Sequence, residues 1–278
     1  MRECGRTGGR LMADLRVGLA AFLCLLASGH QAAAQGTEDL AKQSQNPIAN
    51  LISVPFQNNT NFNVGTLGND QNILNIQPVI PITLNENWNL ITRWIMPVVY
   101  QPPLFPGDGS DFGLGNFNPS FFFSTQAGPN LLWGVGPTFL LPTSTDRRLG
   151  PEKWGAGPTG VIVWTPGHWV VGALANNIWS FAGDSRDPDV NQFLLQYFIN
   201  YNMAHGWYLV SAPVITADWM RDSGDQWTLP LGGGLGRVFS IGSQPVNMSV
   251  QAYDNVITPK GGPDWQLRAQ IQLLFPKK

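Results

Sequence analysis

The chain has 278 residues, a formal net charge of −2 and only 12% charged residues, about half the charged share that is usual in a soluble domain. It has no basic excess, which argues against nucleic acid as a partner. Both cysteines, Cys4 and Cys24, lie near the N-terminus. From residue 35 onward the sequence therefore excludes disulfides, cysteine-bound metals and cysteine nucleophiles.

Residues 1–34 have the three parts of a secretory signal peptide. An apolar run at 17–27 is followed by an Ala-x-Ala cleavage site at 32–34 and is preceded by four arginines: Arg2, Arg6, Arg10 and Arg16. The run is about eleven residues long, which is too short to cross a bilayer as a helix. We therefore expect an exported chain that is cleaved before Gln35.

The next stretch, 35–49, is polar and is expected to contain a short helix. Thr37 is a suitable N-cap, and Pro47 marks the end of the segment. Two interpretations stay open for this segment. It is either a periplasmic tail or a plug inside a barrel, since helices plug some barrels.

The clearest strand pattern of the chain runs from 190 to 203. Large apolar residues alternate there with amides: Phe193, Leu195, Tyr197, Ile199 and Tyr201 on one face, and Gln192, Gln196, Asn200 and Asn202 on the other, interrupted by Leu194 and Phe198. Strict alternation indicates a strand with one apolar and one wet face. Amides in place of Lys and Glu are typical of the lumen of a transmembrane barrel. The same alternation returns at 266–275.

The alternation predicts about twelve strands. Their expected ranges are 50–64, 72–84, 88–100, 114–125, 131–142, 153–165, 168–180, 190–203, 207–218, 227–239, 245–256 and 264–275. Short connections alternate with longer ones, as in outer-membrane barrels whose short turns face the periplasm. The predicted fold class is therefore all-β: a transmembrane antiparallel barrel of about twelve strands over 50–278, preceded by a short helix.

Tryptophan positions support a membrane location. Ten of the eleven tryptophans fall near predicted strand ends, and Trp94 alone lies in mid-strand. Indole prefers the headgroup level of a bilayer, so this spacing predicts two aromatic girdles. Proline is the feature that fits least well, because each proline removes a ladder donor. We expect bulges or local breaks at Pro78, Pro81, Pro97, Pro119, Pro137, Pro158, Pro213 and Pro230.

The inward-facing polar residues are the candidate lining of a solute path. They are Arg93, Gln192, Gln196, Asn200, Asn202, Gln266, Arg268 and Gln270. Charge on the lipid face is costly, so we place both arginines in the lumen. There they would either set the field of a pore or fill the interior by pairing with acids.

Acidic residues collect in the predicted extracellular loops. They are Asp108, Asp111, Asp184, Asp187, Asp189, Asp222 and Asp225. These carboxylates either simply solvate the loops, or they bind divalent cations that bridge to lipopolysaccharide, or they attract cationic solutes.

No catalytic group, metal site or cofactor motif is predicted. His168 and His205 fall in predicted short turns, without a serine or an acid at a suggestive spacing. An outer-membrane lipid enzyme would need histidine and serine near the outer rim. We therefore do not expect an enzyme.

Three stretches of the sequence resemble a family of proteobacterial outer-membrane barrels labelled simply as transporters. They are N-P-I-A-N-L-I-S-V-P-F-Q-N-N at 46–59, D-V-N-Q-F-L-L-Q-Y-F-I-N-Y-N at 189–202 and G-G-P-D-W-Q-L-R at 261–268. Some members carry the name neuromedin U, and the family is similar to barrels of phenol-degradation (meta-pathway) clusters. The resemblance covers about 39–275. It implies insertion by the barrel-assembly machinery and passage of a small solute, hydrophobic or aromatic in character, and it identifies no binding residue.

The sequence as a whole predicts a channel or transporter of the Gram-negative outer membrane, in contact with outer-membrane lipid and lipopolysaccharide. A barrel of about twelve strands is narrow once its interior side chains are counted, so a wide porin is not expected. The alternative is a structural barrel, or one that binds a ligand or a protein partner, with a filled lumen and no conductance.

Overall fold

A closed antiparallel barrel accounts for most of the described chain. The computed structural model describes residues 34–276. Helix α1 (Ala34–Gln45) is followed by β1 (Ile52–Val64), β2 (Asn69–Ile76), β3 (Val79–Thr83), β4 (Asn89–Gln101), β5 (Asp111–Leu114), β6 (Asn118–Gln126), β7 (Leu131–Leu140), β8 (Lys153–Trp164), β9 (Trp169–Gly183), β10 (Asn191–Asn202), β11 (Trp207–Ser211), β12 (Val214–Asp218), β13 (Trp227–Ile241), β14 (Gln244–Ile257) and β15 (Trp265–Phe275). The sheet closes because β15 pairs with β1, from Ile52↔Phe275 to Phe62↔Trp265.

The fifteen strand segments form twelve wall strands, because three wall strands are each built from two segments: β2 with β3, β5 with β6, and β11 with β12. The predicted fold class and strand number are confirmed. Several boundaries differ by two or three residues, and the loop expected at 65–71 is a tight turn, since β2 already begins at Asn69. Gly65 and Gly68 permit this turn with φ values of 73° and 62°.

Three prolines lie where the pairing is disturbed, as expected. Pro78 falls between β2 and β3, and Pro213 falls between β11 and β12. Pro230 adjoins a register shift between β13 and β14. At these positions the missing N–H interrupts the ladder.

The expected break is also present at Pro97, because β4 pairs with β6 only up to Ile95 and with β5 from Val98, with a change of register between them. The expectation of a bulge or break at Pro81 and Pro119 is wrong. A residue of an antiparallel strand bonds only one of its two neighbours, so a proline needs a gap in one ladder and not in both. Pro137 and Pro158 show this arrangement. They face each other across β7 and β8, while the β6–β7 and β8–β9 ladders skip them.

Strand alternation separates an apolar outer face from a polar inner face. Outward side chains are well exposed, for example Ile162, Ile199, Leu209 and Ile271 at 42–53%. Inward polar side chains are enclosed, for example Thr138, Asn200, Asn202 and Gln272 at no more than 4%. The outer face meets lipid and the inner face forms the lumen, as in outer-membrane barrels.

Aromatic contacts form near both rims of the barrel. At the end with the short turns, Trp88 packs edge-on against Trp133 with ring centroids 5.7 Å apart. At the end with the long loops, Trp219 contacts Trp227 at 5.4 Å. The two ends are called the short-turn end and the long-loop end below. Trp94 is the mid-strand exception, and its ring lies 6.0 Å from that of Phe117.

One group of polar side chains lies on the outer face. Asn58 and Asn72 exchange two hydrogen bonds across β1 and β2, at 2.8 and 3.0 Å. Asn72 also donates to the Thr60 hydroxyl at 3.1 Å. We call these three residues the outer amide cluster.

Helix α1 lies inside the barrel at the short-turn end. Ala41 of the helix is 1% exposed, and it shares a buried cluster with Leu51, Tyr208, Val238 and Leu274. The predicted helix is confirmed, but it begins at Ala34, so Thr37 lies within its first turn and is not the N-cap. No helix of the described part of the chain is both long and apolar enough to span a membrane. The proposed signal sequence before residue 34 lies outside the described residues.

Candidate functional site: the lumen

The candidate lining residues fall into three groups along the barrel. Five of them border a cavity of about 140 Å³ beside α1, here called the central cavity: Arg93, Gln196, Asn200, Arg268 and Gln270. Gln192 borders a second cavity of about 410 Å³ toward the long-loop end, here called the outer cavity. Asn202 and Gln266 bond other inward-facing side chains. The role of all eight in a solute path stays a prediction.

Arg268 is held rigidly in the wall of the central cavity. Its side chain is 4% exposed. Nε donates to Asn59 Oδ1 at 3.0 Å, Nη1 to the carbonyl of Ala212 at 2.8 Å, and Nη2 to Gln266 Oε1 at 3.1 Å. The guanidinium carbon also lies 5.0 Å from the ring centroid of Tyr253, a cation–π distance. All of these partners are neutral.

Arg93 projects from β4 into the same cavity. Its Nη2 donates to Gln77 Oε1 at 2.7 Å. Gln77 is 5% exposed and lies at the break between β2 and β3. This break therefore places a buried amide where it can hold the guanidinium, again without a negative partner.

Helix α1 closes the central cavity toward the short-turn end. Gln45 Nε2 donates to Asn202 Oδ1 at 2.8 Å, and Asn247 Nδ2 donates to Ser44 Oγ at 3.2 Å. At the rim, His168 Nδ1 lies 2.9 Å from Glu38 Oε1. These contacts join the helix to the inner wall by side-chain hydrogen bonds, alongside the apolar packing of Ala41.

The outer cavity carries charges that are already paired. Asp218 and Arg221 both border it, and the Arg221 Nε–Asp218 Oδ2 distance is 3.3 Å. Arg221 also lies 3.6 Å from Asp225. The entrance from the long-loop end is therefore roomy and close to neutral, in contrast to the central cavity.

The acidic loops are largely neutralised by cations, most of which come from a neighbouring loop or strand end. Arg147 pairs with Asp184 at 2.5 Å and with Asp187 at 3.3 Å. Arg148 lies 2.9 Å from Asp111 and 3.7 Å from Asp108, and Lys153 lies 3.0 Å from Asp189.

Asp222 is exposed, and in the described chain no cation lies within ion-pair distance of it. Binding of divalent cations at the loops stays a prediction, and residues 34–276 contain no cluster of three or more potential metal ligands.

These ion pairs act on the loop carboxylates. Hydrogen bonds from Arg186, reinforced by Arg147, hold the pKa of Asp184 far below its usual range. The hydrogen bond from the Lys153 ammonium lowers the pKa of Asp189. Both carboxylates therefore stay ionised well into the acid range.

Sequence reasoning missed several residues that complete the site. Asn59 and Gln77 hold the two arginines, Tyr253 stacks beside Arg268, and Tyr208 donates to Asn247 at 2.7 Å. The amide-rich alternation of 57–61 was the available signal for Asn59. Nothing local in the sequence points to Gln77, because its position follows from the strand break.

A closed barrel of twelve antiparallel strands, with an apolar outer wall, aromatic girdles and a polar lumen, is a transmembrane barrel of the outer-membrane type. No protein-family model matches the sequence. The curated proteins likewise contain no significant match. The finer family label expected from the sequence therefore stays a prediction.

Solved structures of outer-membrane barrels are similar to this chain. An outer-membrane channel from Pseudomonas putida F1 is similar with a TM-score of 0.61 at 17% identity, over 81% of this chain and 94% of that one. The NanC porin gives 0.45 at 10% identity, over 81% and 100% of the two chains. Outer membrane phospholipase A from Escherichia coli gives 0.42 at 13% identity, over 88% and 99%. The similarity to the Pseudomonas putida channel shows a common fold alone, because the identity is low. The two lower scores support no argument.

Proposed function

We propose that this protein is a channel of the Gram-negative outer membrane that passes a small solute, with α1 restricting its short-turn end. The observation that carries the proposal is the pair of cavities in a polar lumen enclosed by a complete wall. Lipid would contact the outer face, lipopolysaccharide would meet the long loops, and the barrel-assembly machinery would insert the chain.

The proposed path runs from the outer cavity to the central cavity and then past α1. The outer cavity of about 410 Å³ narrows to one of about 140 Å³, which favours a small solute over a polymer. Apolar side chains such as Val79 and Phe198 border the central cavity together with the amides. A solute with a hydrophobic part fits this mixed lining.

The packing of α1 also favours the alternative function, a barrel with a filled lumen that conducts nothing. Helix α1 is joined to the wall at Gln45 and Ser44 and buries Ala41 completely. The two functions differ in one respect that can be measured. A channel requires α1 to shift, whereas a structural or binding barrel does not.

Reversible cross-linking of α1 tests the proposal. Ser44 Oγ and Asn247 Nδ2 are 3.2 Å apart. The two cysteines of S44C/N247C can therefore be joined by a short cross-linker that contains a disulfide and is cleaved by reduction. In planar bilayers we expect discrete conductance steps that are suppressed by the linker and recover on reduction. S44C alone, treated identically, should show no change.

Absence of conductance steps both before and after reduction would contradict the channel and favour the structural or binding barrel. Folding must be verified in the same preparation. A closed barrel is expected to migrate differently on unheated and heated SDS gels, because it resists detergent. Conductance steps that the cross-linker does not change would support the channel but contradict the claim that α1 restricts it.

A further inference from the structure

Two arginines of the lumen lack a negative partner within the described chain. The ion pairs of residues 34–276 lie in α1, at the rims and in the long loops, and none includes Arg93 or Arg268. Arg268 is nevertheless 4% exposed. A guanidinium enclosed without a counter-charge is destabilising, and the attraction of a negative group in its place is correspondingly strong.

The positive charge is confined to the central cavity. Apart from Arg93 and Arg268, the residues that line this cavity carry amides, hydroxyls and apolar side chains, and none is an acid. The arginine of the outer cavity, Arg221, is neutralised by Asp218. Enclosure away from bulk water, as at Arg268, leaves the field of these unpaired charges less screened than at the protein surface.

Both guanidiniums keep hydrogen-bonding capacity for a ligand. A guanidinium carries five N–H donors in a planar fork that matches a carboxylate. Within the described chain Arg268 donates three hydrogen bonds, to Asn59, Ala212 and Gln266. Arg93 donates one, to Gln77. The remaining N–H groups have no protein acceptor there.

Part of the lining is apolar. Leu51, Val79, Phe198 and Val210 border the central cavity, and Val79 and Phe198 belong to a buried hydrophobic cluster. A volume of about 140 Å³ is equivalent to about four or five waters in the liquid. The cavity therefore has room for a compact ligand with one charged and one apolar end.

We propose that the central cavity is a binding site for a small organic monocarboxylate. The carboxylate is held by the N–H groups of Arg93 and Arg268, and its short apolar body packs against Val79 and Phe198. This inference rests on the proposed function only for how the ligand reaches the site. Binding itself is independent of conduction.

Arg268 also has a structural task, because it donates to the Ala212 carbonyl at the break before Pro213. Loss of binding in a variant of Arg268 could therefore reflect a deformed wall. A structural role predicts no preference between a charged and a neutral ligand of the same shape. The difference in affinity between a charged and a neutral ligand of the same shape therefore distinguishes a ligand-binding role of Arg268 from a structural one.

Calorimetric titration of the detergent-solubilised, heat-modifiable full-length protein with butyrate tests the site, with butyramide as the neutral isostere. We expect saturable binding of butyrate and binding of butyramide that is weaker by about tenfold or more. R93Q and R268Q should each weaken butyrate binding by about tenfold, and R268K should restore part of it. R186Q, which removes a loop arginine that is 75% exposed, should leave the affinity unchanged.

Equal binding of butyrate and butyramide, or wild-type affinity in both R93Q and R268Q, would overturn the proposal. Chloride that competes as well as butyrate would replace it with an inorganic-anion site. If R268Q does not fold, Q196E supplies a carboxylate to the cavity and should abolish butyrate binding. Butyrate binding without conductance would contradict the channel and support the binding site. Conductance without butyrate binding would support the channel and contradict the binding site.

Discussion

The outer amide cluster shows how single residues can depart from the apolar pattern of the outer wall. Lipid offers no hydrogen-bond partner, so each polar group on this face must find one in the protein. Asn58 and Asn72 meet this requirement by bonding each other in both directions. Exchange of either residue alone removes both of these bonds and leaves the other amide with only its contact to Thr60.

The outer amide cluster should respond unequally to single and double substitution. N72L should destabilise the folded barrel by about 1–3 kcal/mol, because Asn58 loses its reciprocal partner. N58L/N72L should recover most of that loss, since no unpaired amide then faces lipid. Urea titration of vesicle-inserted protein, followed by tryptophan fluorescence, measures both. Additive losses in the double variant would contradict the pairing.

The alternation of β10 permits a matched test of its two faces. Y197E places a carboxylate on the lipid side and should destabilise the barrel by up to about 2 kcal/mol. Q196E places the same group beside the arginines of the central cavity and should be tolerated. The same urea titration compares the two variants. Equal losses would contradict the assignment of inner and outer faces.

For single residues, the sequence was sufficient to predict whether a side chain faces the lumen or the lipid, but not which side chains it contacts. Alternation around Arg93 and Arg268 predicted that both point inward, because lipid excludes charge. Whether an acid lies opposite depends on which strands the closed ring brings together. The suggestion that the arginines would pair with acids in the interior is not what the described chain shows.

At the scale of elements, the break between β11 and β12 is repaired by side chains from another part of the ring. The Ala212 N–H donates to the Tyr253 hydroxyl at 3.0 Å, and the Ala212 carbonyl accepts from Arg268. Pro213 interrupts the ladder, and two residues of β14 and β15 satisfy the backbone groups that it leaves. The break is therefore a fixed feature of the wall.

Removal of the Tyr253 hydroxyl should lower the stability of the barrel, because the break between β11 and β12 then loses one of its hydrogen-bond partners. Y253F leaves the Ala212 N–H without an acceptor and should destabilise the barrel by about 1–3 kcal/mol. Y208F should cost less, because it removes one hydrogen bond, to Asn247 Oδ1, whereas Y253F removes the bond from Ala212 and also the bond to Gln251. Thermal unfolding of both variants, monitored by near-UV circular dichroism, makes the comparison. A larger loss in Y208F would contradict the proposed repair.

Proline positions predicted some breaks and not others for a physical reason. Pro78 and Pro213 lie between strand segments, whereas Pro81 and Pro119 are accommodated because each needs a gap in one ladder alone. Which ladder a residue bonds depends on the register of both neighbours. Register is a property of the closed ring and cannot be read from one strand.

Over the whole molecule, ion pairs connect loops that are distant in sequence. Arg147 in the β7–β8 connection reaches Asp184 and Asp187 in the β9–β10 connection, and Glu152 donates its N–H to Asp187. The sequence showed the acids, but it could not show that the cations meet them across loops. The rim at the long-loop end is therefore a connected structure.

The loop network should persist in mild acid and depend on Arg147. The Asp184 and Asp189 carboxyls have folded pKa values below the ordinary value of about 3.9. Their contribution is therefore complete above about pH 4 and is lost only as the pH falls through those lower values. Hydrogen-exchange protection of 143–152 and 184–189 should be constant from about pH 7 to about pH 5. R147Q should lower it, whereas R221Q, in another loop, should not.

Closure of β15 on β1 has a kinetic consequence. The eleven residue pairs of this seam join the two ends of the barrel sequence, so they have the highest contact order in the molecule and form late and slowly. Leu274 of the closing strand packs in the same cluster as Ala41 of α1. The closing strand therefore completes part of the surface against which α1 packs, and once the ring is closed the continuous wall bars sideways exit of the helix. A weakened seam should consequently loosen α1 as well, which leaves movement along the barrel axis as the route open to the helix in the folded protein.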